Sequence, residues 1–385
     1  MRSVLVAVVV LLALHPLATA AERPAKTWLE TWKAANPQWR AYHLTHLSGE
    51  TMPATKALIA DVLAPMGINV VIAEVDYAYQ FASHPELECG GLNKQQAREL
   101  TDICHQHGIR LIPLFECLGH QSWGAKRTGL LKKYPQFDET PSIPEDDKKI
   151  YCREWCPSHP EVNKVVFDLL DELIDAFDAD AVHVGMDEVF LIGDKNCPRC
   201  KNKDVGELFA KCVNALHDHL VAHKGVEMLM WGDRLLDAKQ MKYGAWDESS
   251  TGSHRAIDRV PKDIIICDWH YSVPEVYRRI GQKEPYPSIR FFQEKGFRVL
   301  PATYCIPEAG VAMIRASRLG ATDKMLGILF TGWSNGPGGQ WLLDALRGRS
   351  PNAAAGPVDA KELEAARGTA ATIKAGLAEI SSPVK

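Results

Sequence analysis

The chain has 385 residues, 46% of them hydrophobic and 24% charged, with a formal net charge of -4. That is ample sequence for a large core, and α/β barrels absorb this much chain as one domain. The near-neutral balance argues against a nucleic-acid or anionic-membrane partner, since either selects a basic face.

Arg2 precedes an apolar block, Val4 to Leu14, and Ala18-Thr19-Ala20 stands ahead of Ala21. A charged n-region, a short h-region and a small-x-small site predict a cleaved secretory signal over residues 1–20. A membrane anchor needs about 20 apolar residues, and His15-Pro16 interrupts this block too early. The expected mature chain is therefore secreted or periplasmic, with no membrane span after cleavage. A lead-in follows over 21–37, then one catalytic domain over 38–348, then a linker and a last helix over 349–385.

Eight apolar runs of strand length follow, most of them trailed by helix-like stretches. They are Arg40 to Leu47, half polar, then Ile68 to Val75, Ile109 to Phe115, Ala181 to Gly185 and Val226 to Trp231. Ile264 to Trp269, Phe297 to Ala302 and Leu326 to Thr331 complete the set. Lys94 to His107 and Val162 to Phe177 carry apolar residues at helical spacing. Gly67, Gly108 and Gly296 each stand just ahead of a run, where glycine suits the position after a helix C-terminus. Continuous rather than alternating apolar strands, interleaved with helices, predict a parallel sheet covered on its outer face. Eight such units predict the α/β class and a closed (β/α)8 TIM barrel. The alternative, an open doubly wound sheet, lacks a Gly-rich dinucleotide fingerprint here.

In such a barrel the active site lies at the C-terminal strand ends. Those ends carry Glu74, Asp76, Tyr77 and Tyr79; Glu116, Gly119, His120 and Trp123; and His183, Asp187 and Glu188. The later ends add Trp231 and Asp233; Asp268, Trp269, His270 and Tyr271; Tyr304 and Glu308; and Trp333 and Asn335. Aromatic faces that stack on sugar rings, with a few carboxylates for hydroxyls, suit a small-ligand site for carbohydrate. Within Ala181-Val-His-Val-Gly-Met-Asp-Glu188, strand parity puts His183, Gly185 and Asp187 on the inner face. Val182 and Val184 then face the helices, and Glu188 reaches the barrel mouth only if the strand ends before it. Two opposed carboxylates about 5 to 5.5 Å apart serve a retaining glycosidase with a protein nucleophile, and about 6.5 to 9.5 Å an inverting one. Adjacent acids at one strand tip are better placed when the nucleophile belongs to the substrate, as a 2-acetamido group does.

His183-Val-Gly-Met-Asp-Glu188 resembles the His-x-Gly-Gly-Asp-Glu signature of family 20 glycoside hydrolases, the β-N-acetylhexosaminidases. Cys156-Pro-Ser-His-Pro-Glu161, Leu118-Gly-His120, Trp231-Gly-Asp233, Trp269-His-Tyr271 and Thr331-Gly-Trp333 extend the resemblance in order over roughly residues 40 to 340. The Glu188-Val-Phe-Leu-Ile-Gly193 continuation is nearer to the hexosaminidase D-like branch. The resemblance implies release of a terminal β-linked N-acetylhexosamine from a glycan or glycoconjugate through an oxazolinium intermediate, with no cofactor and no catalytic metal. It makes Glu188 the general acid and then base, and Asp187 the carboxylate that orients the acetamido group. Tyr271 becomes its second hydrogen bond and Trp231, Trp269 and Trp333 the pocket walls. His120 and His183 fall beneath the acids, and Asp233 joins the substrate-binding set. Three positions depart from the family pattern: Met186 replaces a glycine, the first strand lacks the sugar-binding Arg, and Asn335 stands where the family has an acid. Two other readings are open, a non-catalytic carbohydrate-binding barrel and a retaining glycosidase with Glu74, Asp233 or Glu308 as nucleophile.

Ten cysteines remain. Cys89, Cys104, Cys117, Cys212, Cys267 and Cys305 are scattered, and read as buried free thiols. Cys152, Cys156, Cys197 and Cys200 flank the fourth strand. Export favours disulfides among them, while their spacing leaves a four-thiolate zinc knot and free thiols open.

Overall fold

The computed structural model describes residues 24–350 and 359–383; the expected signal, residues 1–20, lies outside them. Eight parallel strands close into a barrel: β1 (Trp39–Leu44), β2 (Val70–Glu74), β3 (Arg110–Cys117), β4 (Ala181–Gly185), β5 (Glu227–Trp231), β6 (Ile265–Trp269), β7 (Arg298–Thr303) and β8 (Gly327–Phe330). Ala41 of β1 pairs with Val70 on one side and Leu329 on the other, which completes the ring. The eight expected runs coincide with these strands to within a few residues.

The apolar strands divide by parity into two cores, as the pleat requires. Ala41, Ile72, Leu114, Ala181, Leu229, Cys267, Leu300 and Leu329 fill the barrel interior. Val71, Phe115, Val182, Val184, Met230, Ile266 and Phe330 face outward and pack with helices such as Val162–Phe177. Gly67, Gly108 and Gly296 take φ of 84°, 69° and 94°, left-handed values at which each helix is released into its strand.

The N-terminal end of the barrel is sealed. Helix Pro24–Ala35 brings Trp32 under the strands, and the buried Arg110 guanidinium lies 5.6 Å from the Trp32 ring and 5.3 Å from Trp39. Arg110 also donates to Asp180 and Glu227, both at 2.7 Å. Burial opposes the charge on Glu227, but Arg110 and Arg298 outweigh it and hold the carboxyl near a pKa of about 2. Access to the interior is thus left to the opposite end.

The last helix, Ala360–Ser381, is part of the outer layer. It buries Ala366, Ala370 and Ile373, and Arg315 on helix Pro307–Leu319 pairs with Glu379 at 3.0 Å. Gly376 sits so close to Phe330 that an added Cβ would lie 2.7 Å from the ring. Among the described residues no helix is long and apolar enough to cross a membrane.

Candidate active site

A cavity of about 570 Å³ opens at the C-terminal ends of the strands, within the size range of small-ligand sites. Asp187 and Glu188 both line it, with Glu74, Asp76, Glu116, His120, Trp269, Tyr271 and Trp333 around them. The backbone explains how two adjacent acids share one cavity. β4 stops at Gly185, and Gly185, Met186 and Glu188 take φ of 63°, 77° and 50°. These left-handed steps end the strand's alternation, so Glu188 turns inward instead of facing the helices.

The same turn settles where Met186 goes. Its side chain is fully buried in the outer core with Val182 and Val184, and does not enter the cavity. Gly185 has no such freedom, because an added Cβ would lie 1.9 Å from Glu116 Oε2 and meet a φ that L side chains rarely adopt. Gly185→Ala is expected to cost about 3 kcal/mol or more of stability, read as a lower urea midpoint at unchanged slope. Backbone strain clusters here: His46, Asp76 and His120, all lining residues, also have φ between 45° and 57°.

His120 Nε2 lies 3.4 Å from Asp187 Oδ2 and 3.3 Å from Glu188 Oε2. Burial works against a charged imidazole, but Asp187, Glu188 and Glu116 together raise the His120 pKa well above its ordinary value. Burial likewise opposes the Asp187 carboxylate, and the His120 charge and hydrogen bond, with Glu116 beside it, bring its pKa below the usual one. Asp187 and His120 thus form a carboxylate–imidazolium pair. Asp76 and Glu116 go the other way. Burial, joined by Glu74 next to Asp76 and by Asp187 next to Glu116, pushes both carboxyls well above their ordinary values. The Glu116 N–H donates to Asp76 Oδ1 at 2.6 Å, and Glu74 Oε2 lies 3.0 Å from His43 Nε2.

The wall is aromatic. Trp269 and Tyr271 stack with centroids 5.2 Å apart, and Trp333 Nε1 donates to the Tyr271 hydroxyl at 2.8 Å. Three aromatic side chains at the rim are open to solvent, Trp123 at 72%, Trp246 at 49% and Tyr151 at 38%, an exposed aromatic cluster at the cavity mouth. Tyr151 lies between the other two, 6.0 Å from Trp123 and 4.9 Å from Trp246.

Three residues expected to bind substrate do not line the cavity. His183 and Trp231 are fully buried in the barrel, their rings 4.6 Å apart, and Trp231 meets Trp333 from behind at 5.9 Å. His183 Nδ1 accepts the Gly185 N–H at 3.1 Å, and burial lowers its pKa to about 3, so the ring is neutral. Asp233 points away: it accepts the Glu188 N–H at 3.0 Å and pairs with Arg234 at 2.6 Å. Burial raises its pKa to about 6 against the pull of Arg234. Its part is to fix the Glu188 backbone. Glu308 is exposed on a helix N-terminus and lies off the cavity.

The lining also includes residues with no assigned part in the sequence reading. Thr45 and His46 directly follow β1, within the run expected as the first strand, while Tyr151, Trp246 and Asp247 come from loops far from any strand end. Asp247 accepts the Tyr277 hydroxyl at 3.2 Å and lies 3.1 Å from His270 Nδ1. Asn335 is buried instead, donating to the Tyr42 hydroxyl at 3.0 Å and accepting from Thr45 Oγ1 at 3.1 Å. Asn335 thus ties the segment after β8 to Tyr42 on β1 and to Thr45 just beyond it.

Fold and cavity define a (β/α)8 barrel with an acid-bearing, aromatic-walled pocket at its catalytic face. The pattern for the catalytic domain of glycosyl hydrolase family 20 matches residues 68–285, more than half of the chain, and the chain belongs to that family. Human Hexosaminidase D is 24% identical over 305 residues, covering 75% of this chain and 59% of that protein. A Beta-hexosaminidase of Akkermansia muciniphila is 30% identical over 118 residues, 29% of this chain and 22% of that protein. The chain thus spans less than two thirds of either relative. Among solved structures, the chitobiase of Flavobacterium johnsoniae aligns over 89% of this chain and 51% of its own, with a TM-score of 0.58 at 18% identity.

Proposed function

We propose that the chain is a β-N-acetylhexosaminidase that removes a terminal, non-reducing β-linked N-acetylhexosamine by retaining, substrate-assisted catalysis. The observation that carries this reading is the pair of adjacent acids turned into one cavity, with His120 within 3.4 Å of both. In this reading the Asp187 carboxylate faces the N–H of the 2-acetamido group as the carbonyl oxygen attacks the anomeric carbon. Glu188 gives its proton to the departing oxygen, then takes one from the water that opens the oxazolinium. The Tyr271 hydroxyl donates to the acetamido carbonyl, with Trp269 and Trp333 enclosing the ring. Trp123, Tyr151 and Trp246 form a platform for the aglycone, and Asp247 and Glu74 accept sugar hydroxyls. The N-terminal sequence supports action outside the cytosol.

Of the acids considered as a protein nucleophile, Glu74 lines the cavity, 3.0 Å from His43 Nε2, and remains the candidate of that alternative. Burial pushes the Asp76 and Glu116 carboxyls up, which disfavours the charged form that a nucleophile needs. Asp233 and Glu308 lie off the cavity. Aryl β-glycosides with and without the 2-acetamido group test the reading. Hydrolysis should favour the acetamido substrate by roughly 10³-fold or more, because the nucleophile is otherwise missing. Comparable turnover of the plain glucoside, with a trapped glycosyl-enzyme, would point to a protein nucleophile. Glycan binding with no turnover of any member would leave a carbohydrate-binding barrel.

A further inference from the structure

Behind the catalytic loop lies a second cluster that the proposed reaction does not use. Cys156, Cys197, Cys200 and Glu139 converge in the core, all at 1% exposure or less, with one ligand atom from each within 4.8 Å of every other. Cys156 Sγ lies 3.6 Å from Cys197 Sγ and 3.4 Å from Cys200 Sγ. The four-cysteine set suggested by spacing is not the one assembled. Cys152 falls outside the cluster, its Sγ 4.0 Å from the Glu188 carbonyl oxygen, and Glu139 takes the fourth place. None of the ten cysteines is bridged, so the disulfides that export would favour are not formed in this fold.

We propose that these four side chains bind one zinc ion as a closed, structural Cys3Glu site. A tetrahedral zinc with Zn–S bonds of about 2.3 Å sets neighbouring sulfurs about 3.8 Å apart, and the observed separations lie just below that. A disulfide requires about 2.05 Å, so forming one here would pull a pair together by more than an ångström. It would also use only two of the three sulfurs and leave Glu139 unanswered. The Glu139 carboxylate is the independent observation. One oxygen accepts the Gly193 N–H at 2.9 Å, while the carboxyl's other partners are the three thiols, weak donors at best, and Oε2 is buried. A buried carboxylate oxygen aimed at three thiols is costly without a cation to meet it.

The location gives the ion its purpose. Cys197-Pro-Arg-Cys200 follows directly on the loop that begins at Glu188, and Cys156 ends the segment that carries Tyr151. Glu154 Oε1 accepts the Leu191 N–H at 2.6 Å, so the two loops already touch beside the cluster. Zinc would staple them together and hold Glu188 and the rim aromatics in register, coupling metal binding to the folding of the active-site face.

Metal analysis of the full chain, purified reduced and without added chelator, should find one zinc per chain. Cobalt in its place should show thiolate charge-transfer and tetrahedral ligand-field bands. Cys200→Ser and Glu139→Ala should each lower zinc content or affinity at least about tenfold, whereas Cys305→Ser, away from the cluster, should retain one zinc. A metal-free chain with all cysteines open to alkylation on unfolding would overturn the proposal. So would an intact mass lower by two hydrogens with a bridge mapped among Cys156, Cys197 and Cys200. Both readouts use the wild-type chain, so they stand even where a variant fails to fold, and neither depends on which glycoside is cleaved.

Discussion

Glu188→Gln should lower kcat/KM by about 10²- to 10⁴-fold on substrates whose leaving group is a sugar alcohol. The glutamine keeps the shape of the side chain and its place beside His120, but it has no proton to give to the glycosidic oxygen. A sugar alkoxide is a poor leaving group and cannot depart without that proton. An activated nitrophenolate can, so kcat/KM on such an aryl glycoside should fall much less. Turnover on the aryl substrate should nevertheless collapse, because the second step also needs Glu188, now as the base for water. The signature is therefore a split: glycosylation rescued by a good leaving group, and breakdown of the intermediate not rescued. Single-turnover and steady-state kinetics on the two substrate types measure it. Full activity of the variant on a disaccharide would remove Glu188 from the chemistry.

The part of this arrangement that could be read from sequence follows from how each residue is placed. Strands buried on both faces write themselves as apolar runs, and three glycines at left-handed helix exits mark where three of them begin, so the barrel was legible throughout. Parity along β4 assigned His183 to the inner face, where it packs against Trp231, whereas Asp187 reaches the cavity beyond the strand end through the left-handed turn at Gly185 and Met186. Parity gives a face but not a height, which is why His183 and Trp231 were expected in a pocket that lies one layer above them. Asp233 escaped for a different reason. It stands in a short turn after β5 that directs its carboxylate to the Glu188 backbone. Tyr151, Trp246 and Asp247 belong to long loops whose path depends on tertiary contacts, such as the Arg234 side chain held by the Trp246 carbonyl. The cysteine cluster shows the same limit, because spacing offered Cys152 as the fourth member while the fold delivered Glu139.

Asp187→Asn should reduce kcat by about 10²- to 10³-fold, the usual cost of removing a group that stabilises charge only as it develops. Unlike Glu188→Gln, it should act almost equally on poor and activated leaving groups. The positive charge of the oxazolinium appears on the acetamido group whichever leaving group departs, and asparagine cannot balance it. The variant also breaks the pair with His120, and that loss has its own pH signature. Asp187 has a lowered folded-state pKa, so it contributes stability above its ordinary value of 3.8 and loses it as pH falls through the folded value. His120 has a raised one, so its contribution is complete below 6.5 and fades as pH rises through the folded value. Both contributions are whole only between about pH 4 and 6.5. The stability gap between wild type and Asp187→Asn should therefore be widest in that window and narrow on either side, in urea titrations run across pH. A gap that is flat from pH 3 to 9 would mean that the two groups are not paired as charges. Catalysis would then have to draw its electrostatic stabilisation from elsewhere in the cavity, since His120 would no longer be held charged beside the acid.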